Sequence, residues 1–205
     1  MNKLIIANWK LNPMTAREAT DLSRKINHVS KHEVVICPPI AFLETVEVMH
    51  KGAQDVSFQI KGAYTGQISA AQLASLKVKY CIVGHSERRS FGDTDELINL
   101  KIKALLDYNI VPVLCIGWGT TVEQDELEVT DILASQLRTD LDEVDSKKVI
   151  VAYEPVWAIS NGNPYATKKT ATPEHAEQIA LYLHTKFNVK KVLYGGSVNS
   201  TNSES

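Results

Sequence analysis

Apolar and β-branched residues gather in short runs along the chain, at Leu4–Trp9, Val34–Cys37, Tyr80–Val83, Val111–Ile116, Val149–Tyr153 and Val189–Tyr194. Each has the length of a strand, and between most of them apolar positions recur with helical period. Helix starts are legible. Asp93-Thr94-Asp95-Glu96 offers a capping oxygen and first-turn acids, followed by Leu97, Ile98, Ile102, Leu105 and Leu106 at helical spacing. Thr172-Pro173-Glu174 supplies a cap and a proline at the first helical position, with Ile179, Leu183 and Phe187 behind it. Val122 to Leu141 reads as a further acidic, amphipathic helix. Strands alternating with helices predict a parallel sheet with right-handed crossovers, either a barrel or a doubly wound sheet. No Gly-x-Gly-x-x-Gly fingerprint follows the first run, which favours the barrel.

With 205 residues the chain fits one well-buried domain, spanning residues 1–205. A complete eightfold β/α barrel takes about 250 residues, roughly 45 more than are present. The net charge of −2 offers no basic field to nucleic acid or to anionic lipid. No apolar run approaches a membrane span, and no signal-peptide pattern opens the chain, so a cytoplasmic protein is expected. Cys37, Cys81 and Cys115 lack the paired spacing of a disulfide framework or a metal site, and the six histidines do not cluster. Reduced thiols, no metal and no cofactor are the expectation.

Three segments carry chemistry: Asn8-Trp9-Lys10, Gly84-His85-Ser86-Glu87-Arg88-Arg89 and Tyr153-Glu154-Pro155-Val156-Trp157. They deliver a cation, an imidazole and a carboxylate from the ends of three separate strands, the parts needed to abstract a proton beside a carbonyl. Together with Gly62 to Gly66, Cys115-Ile116-Gly117, Thr170 to Glu174 and Tyr194-Gly195-Gly196-Ser197, all in order, these segments resemble the triosephosphate isomerase family along nearly the whole chain.

The resemblance implies a TIM barrel that interconverts dihydroxyacetone phosphate and D-glyceraldehyde 3-phosphate through an enediolate, as a homodimer, with no cofactor and no nucleic-acid or membrane partner. Glu154 is then the catalytic base. His85, a neutral imidazole favoured by the N–H groups of the turn that Ser86-Glu87 begins, is the electrophile. Lys10, paired with Glu87, is the electrostatic anchor. Asn8 supplies a neutral donor beside it, Ser86, Glu87 and Cys115 support the trio, and Ser160 with Gly195, Gly196 and Ser197 grips the phosphate. Thr65, in the Gln59–Gly66 loop, reaches the partner subunit.

The sequence also departs from the family. Ser160 stands where glycine is typical and Gln67 where a glutamate is expected. The lid tip, Asn161 to Lys168, is longer than usual between hinges at Pro155-Val156-Trp157 and Lys169-Thr170-Ala171. Between Pro39 and Ala53 there is too little chain for both a full second helix and a third strand, and a shortened helix is the expectation. After Ser197 only a polar tail remains, so an incomplete barrel of about seven parallel strands is expected, open between the first and the seventh. Two other functions fit part of the pattern. One is a catalytically weakened homologue acting as a dimerising phosphate-binding module. The other is a barrel isomerase for another sugar phosphate.

Overall fold

The computed structural model describes residues 3–27, 32–159, 171–199 and 202. Its backbone forms two compact units, Met1–Val83 with Lys101–Pro112, and Gly84–Leu100 with Val113–Ser205.

In the first unit, β1 (Leu4–Asn8) leads through α1 (Ala16–Asn27) to β2 (Glu33–Cys37). A single 3-10 turn, Ile40–Phe42, and β3 (His50–Ala53) follow, so the expected second helix is cut to one turn and a four-residue third strand survives. After a long loop, α2 (Ala70–Ser75) precedes β4 (Tyr80–Val83). The four strands are parallel and in sequence order, in the registers Asn8↔Cys37, Ile36↔Lys51 and Ala53↔Cys81. Val35, Ile36, Leu43, Leu73, Val83 and Leu105 are fully or almost fully buried and form this unit's core. β3 is an improbable strand by composition, His-Lys-Gly-Ala. Gly52 permits it, since a Cβ there would lie 2.3 Å from Cys37 Sγ and 3.0 Å from Val35 Cγ1.

The second unit holds α3 (Ser86–Ser90), the start of α4 (Asp95–Asp107), the end of β5 (Val111–Ile116), α5 (Glu126–Asp140), β6 (Ile150–Tyr153), α6 (Pro173–Phe187) and β7 (Lys191–Tyr194). β5, β6 and β7 are parallel, with Cys115↔Ala152 and Ile116↔Tyr153 aligned on one side and Tyr153↔Tyr194 on the other. The capping signals hold for two helices: Thr94 Oγ1 accepts from Leu97 N–H at 3.3 Å, and Thr172 Oγ1 from His175 N–H at 3.2 Å. The acidic helix begins at Glu126 rather than near Val122. Asp125 caps it, accepting from Glu128 N–H at 2.9 Å while the Glu128 carboxylate accepts from Asp125 N–H at 3.0 Å. That reciprocal box satisfies two otherwise orphaned donors and fixes the start. Among the described residues there are thus seven parallel strands, and none follows β7.

Candidate active site

Glu154 leaves β6 with its backbone held. Its N–H donates to Ile116 O at 2.8 Å, and Gly117 packs so closely that a Cβ there would meet Glu154 O at 2.6 Å. Gly117 has φ +115°, a left-handed value that side chains rarely adopt. The Gly117 loop is in turn clamped from α5: Gln136 Oε1 accepts from Gly117 N–H at 2.9 Å, and Gln136 Nε2 donates to Trp118 O at 2.7 Å.

The Glu154 side chain is buried, and two donors meet its carboxylate. Ser86 N–H donates to Oε2 at 3.0 Å, and His85 Nε2 lies 2.9 Å from Oε1. Burying a carboxylate costs several kcal/mol. Two charge-assisted hydrogen bonds, each worth about 1.5–3 kcal/mol, offset much of that.

His85 caps α3. Its Nδ1 accepts from Glu87 N–H at 3.2 Å, so Nδ1 carries no proton and the ring hydrogen of the neutral imidazole sits on Nε2, facing Glu154. The Gly84 carbonyl just before it accepts from Arg89 Nε at 2.8 Å, and Arg89 Nη2 reaches Cys115 O at 3.4 Å. Arg89 therefore ties Cys115 in β5 to the residue that precedes the histidine. Four of the expected residues, His85, Ser86, Glu87 and Glu154, are thus joined by hydrogen bonds, with Cys115 close behind them.

The residues expected to grip a phosphate are partly engaged within the chain. Gly195 N–H donates to Tyr153 O at 2.7 Å and Ser197 N–H to Ala158 O at 3.0 Å, while the Tyr194 hydroxyl packs over Gly196 and accepts from Ala171 N–H at 3.3 Å. A phosphate at this turn would take the Ser197 amide from Ala158. Ser160 and the lid tip lie outside the described residues. At the first hinge, the Trp157 ring stands 6.1 Å from His175, whose Nε2 is 3.0 Å from the Tyr153 hydroxyl.

In the first unit, Lys10 follows β1 at φ +51°, a conformation that costs a non-glycine residue about 1 kcal/mol or more. It is pinned from both sides. Its N–H donates to Asn8 Oδ1 at 2.9 Å, and its carbonyl accepts from Gln54 Nε2 at 2.8 Å. The Asn8 oxygen serves this turn as an acceptor, and the neutral donor expected of Asn8 is its Nδ2. Thr65 is exposed on a loop whose ends are tied by Ser57 N–H donating to Ile68 O at 2.7 Å.

Gln54, Gln136 and Arg89 support these residues; Arg89 belongs to a segment singled out from sequence, whereas Gln54 and Gln136 do not. For Gln136 a signal existed: with Leu133, Leu137 and Asp140 it lies on the buried stripe of α5, and a polar residue there needs a partner. Gln54 gave none.

A parallel β/α fold that presents a buried carboxylate and a neutral imidazole at strand ends defines an acid–base enzyme of the barrel class. Residues 3–205 match the family model for triosephosphate isomerase, and this chain belongs to that family. It is 40% identical over 211 residues to a triosephosphate isomerase of Clostridium botulinum (strain Loch Maree / Type A3), covering 96% of this chain and 80% of the relative. It is also 40% identical over 216 residues to that of Mesomycoplasma hyorhinis, covering 98% and 86%. With that of Aquifex aeolicus it shares 37% over 226 residues, covering all of this chain and 88% of the relative. Among the described residues no helix is long and apolar enough to cross a membrane.

Proposed function

We propose that this chain interconverts dihydroxyacetone phosphate and D-glyceraldehyde 3-phosphate, with Glu154 as base, His85 as electrophile and Lys10 as electrostatic anchor. The observation that carries the reading is the Glu154–His85 contact at 2.9 Å, a carboxylate and a neutral N–H donor side by side out of water. Bound substrate takes the His85 Nε2–H onto its carbonyl oxygen and leaves the carboxylate free to turn to the adjacent carbon. Glu154 removes a proton from that carbon, and the electron pair closes the carbon–carbon double bond of an enediolate. The carbonyl oxygen gains negative charge, which the imidazole stabilises by its hydrogen bond. The hydroxyl proton on the first carbon's oxygen then passes to the former carbonyl oxygen by way of His85 Nε2, and Glu154 returns its proton to the former carbonyl carbon, so that the new carbonyl forms without net oxidation and no redox cofactor is required. By the family resemblance Lys10 holds the phosphate dianion and the oxyanion, and Gly195, Gly196, Ser197 and Ser160 contribute to the phosphate grip.

The reading extends to a homodimer, each chain a single incomplete barrel domain. Leu11 and Met14 after β1, and Ile60 and Tyr64 on the Thr65 loop, are exposed, an expensive apolar surface to leave in water. Cys37, Cys81 and Cys115 are held as thiols rather than as disulfides, which fits a reducing cytoplasm. The test is a coupled assay of the purified protein with each triose phosphate. Turnover in both directions is expected, and its absence would overturn the assignment.

A further inference from the structure

We infer that Gln54 is the positioning residue for Lys10. One side-chain amide ties together the ends of three consecutive strands: Gln54 follows β3, and its Nε2 donates both to Lys10 O after β1, at 2.8 Å, and to Cys37 O at the end of β2, at 2.9 Å. A primary amide nitrogen has two hydrogens, and this one uses both. Because both partners are carbonyls, only the nitrogen can face them, which fixes the orientation of the amide. Cys37 O also accepts from Trp9 N–H at 3.0 Å, so the clamp closes around the Trp9-Lys10 peptide from two sides.

What the clamp holds is an unfavourable backbone. Lys10 is the second residue of a turn closed by Asn12 N–H donating to Trp9 O at 3.1 Å, and it sits at φ +51°. A lysine left to itself prefers a right-handed or extended conformation, and relaxing to either would redirect its Cα–Cβ bond. Asn8 fixes the Lys10 N–H and Gln54 fixes the Lys10 carbonyl, so the two peptide planes that decide where the side chain starts are both held. The ammonium lies at the far end of four flexible methylenes, and its placement is reproducible only if the root is. Gln54 therefore acts on the substrate's anionic groups through Lys10 and does not touch them.

The inference rests on the role proposed for Lys10. It is tested by a double-mutant cycle of Gln54→Met, similar in bulk and without donors, with Lys10→Met, measuring kcat and KM for glyceraldehyde 3-phosphate alongside Tm. In the otherwise unchanged enzyme, Gln54→Met is expected to lower kcat/KM about tenfold, chiefly through KM. In the Lys10→Met background the same change is expected to alter kcat/KM less than about twofold, because the group it positions is gone. A loss of equal size in both backgrounds, or kcat/KM unchanged in the single variant, overturns the inference. A purely structural role would lower Tm and multiply through both backgrounds alike. Should Gln54→Met fail to fold, Gln54→Glu keeps the shape, removes the N–H donors at neutral pH and goes through the same cycle. A wild-type protein without triose phosphate turnover would instead remove the proposed function itself, whereas an active wild type with independent variants removes only the role of Gln54.

Discussion

His85 Nε2 and Glu154 Oε1 stand 2.9 Å apart, and the opposite face of the same imidazole accepts the Glu87 N–H at 3.2 Å. One ring thus caps a helix with one nitrogen and addresses the carboxylate with the other, and the cap decides which nitrogen keeps its hydrogen. Replacing Glu154 by glutamine removes the base and leaves its bulk, so turnover is expected to fall by at least about a thousandfold. A glutamine has only one acceptor for the two donors at this position, His85 Nε2–H and Ser86 N–H, and Tm should drop by the equivalent of about 1 kcal/mol. His85→Gln should cost less turnover than Glu154→Gln, since the base survives. Steady-state kinetics with thermal melts of both variants check this, and wild-type rates in either would sink the roles assigned.

Gly117→Ala should damage both folding and rate. The new methyl carbon would sit 2.6 Å from the Glu154 carbonyl oxygen, on a residue at φ +115°. Neither the clash nor the backbone can relax without moving Glu154 or releasing Gln136. A loss of about 3 kcal/mol or more is expected, with kcat reduced in whatever fraction folds. Urea titration and kinetics on the refolded variant read the two effects separately.

The parts of this molecule visible in the sequence are those that depend on local chemistry. Six of the seven strands stand within a residue or two of an apolar run, and Thr172-Pro173 marks the start of α6 because a cap and a proline act within one turn. β3 was invisible as a run, since His-Lys-Gly-Ala is a strand only through pairing with β2 and β4 and through the sulfur of Cys37 filling the space above Gly52. The start of α5 was misplaced because Asp125 and Glu128 act as a pair, whereas helical period alone extends back to Val122. His85 and Glu154 were legible from their motifs. Gln54 was not, because its importance lies in two carbonyls 44 and 17 residues away.

Thr65→Arg tests the proposed dimer. An arginine at an exposed loop position is harmless to a monomer but leaves an unpaired charge if Thr65 is buried against a second copy. Such a charge costs on the order of 3 kcal/mol, more than a hundredfold in Kd. Sedimentation should show the wild type as a dimer and the variant dissociating at micromolar concentration, with rate falling in parallel. A fully active wild-type monomer would contradict the proposal.

Stability should also depend on pH through Asp140, which has no part in the chemistry. Its side chain is wholly buried at the end of α5; Oδ2 accepts from Arg89 Nη2 at 3.0 Å, while Oδ1 has no hydrogen-bond partner among the described residues. Burial pushes its carboxyl up to about 8. Arg89 opposes the shift but is shared with Asp95, whose own charge adds to it. In the unfolded chain the same group titrates near 3.9. Between about pH 4 and pH 8 the native state therefore holds a proton that the unfolded state has released, and stability must fall as pH rises through that window, levelling off above it. Other groups titrate in the same range, so the wild-type slope alone decides nothing, and the comparison is with Asp140→Asn, which cannot ionise. The variant should show a flatter decline in Tm between pH 5 and pH 8.5 at constant ionic strength and gain on the wild type at the alkaline end. Parallel curves would mean that Asp140 is ionised in the native state throughout, held by Arg89 against the cost of its burial.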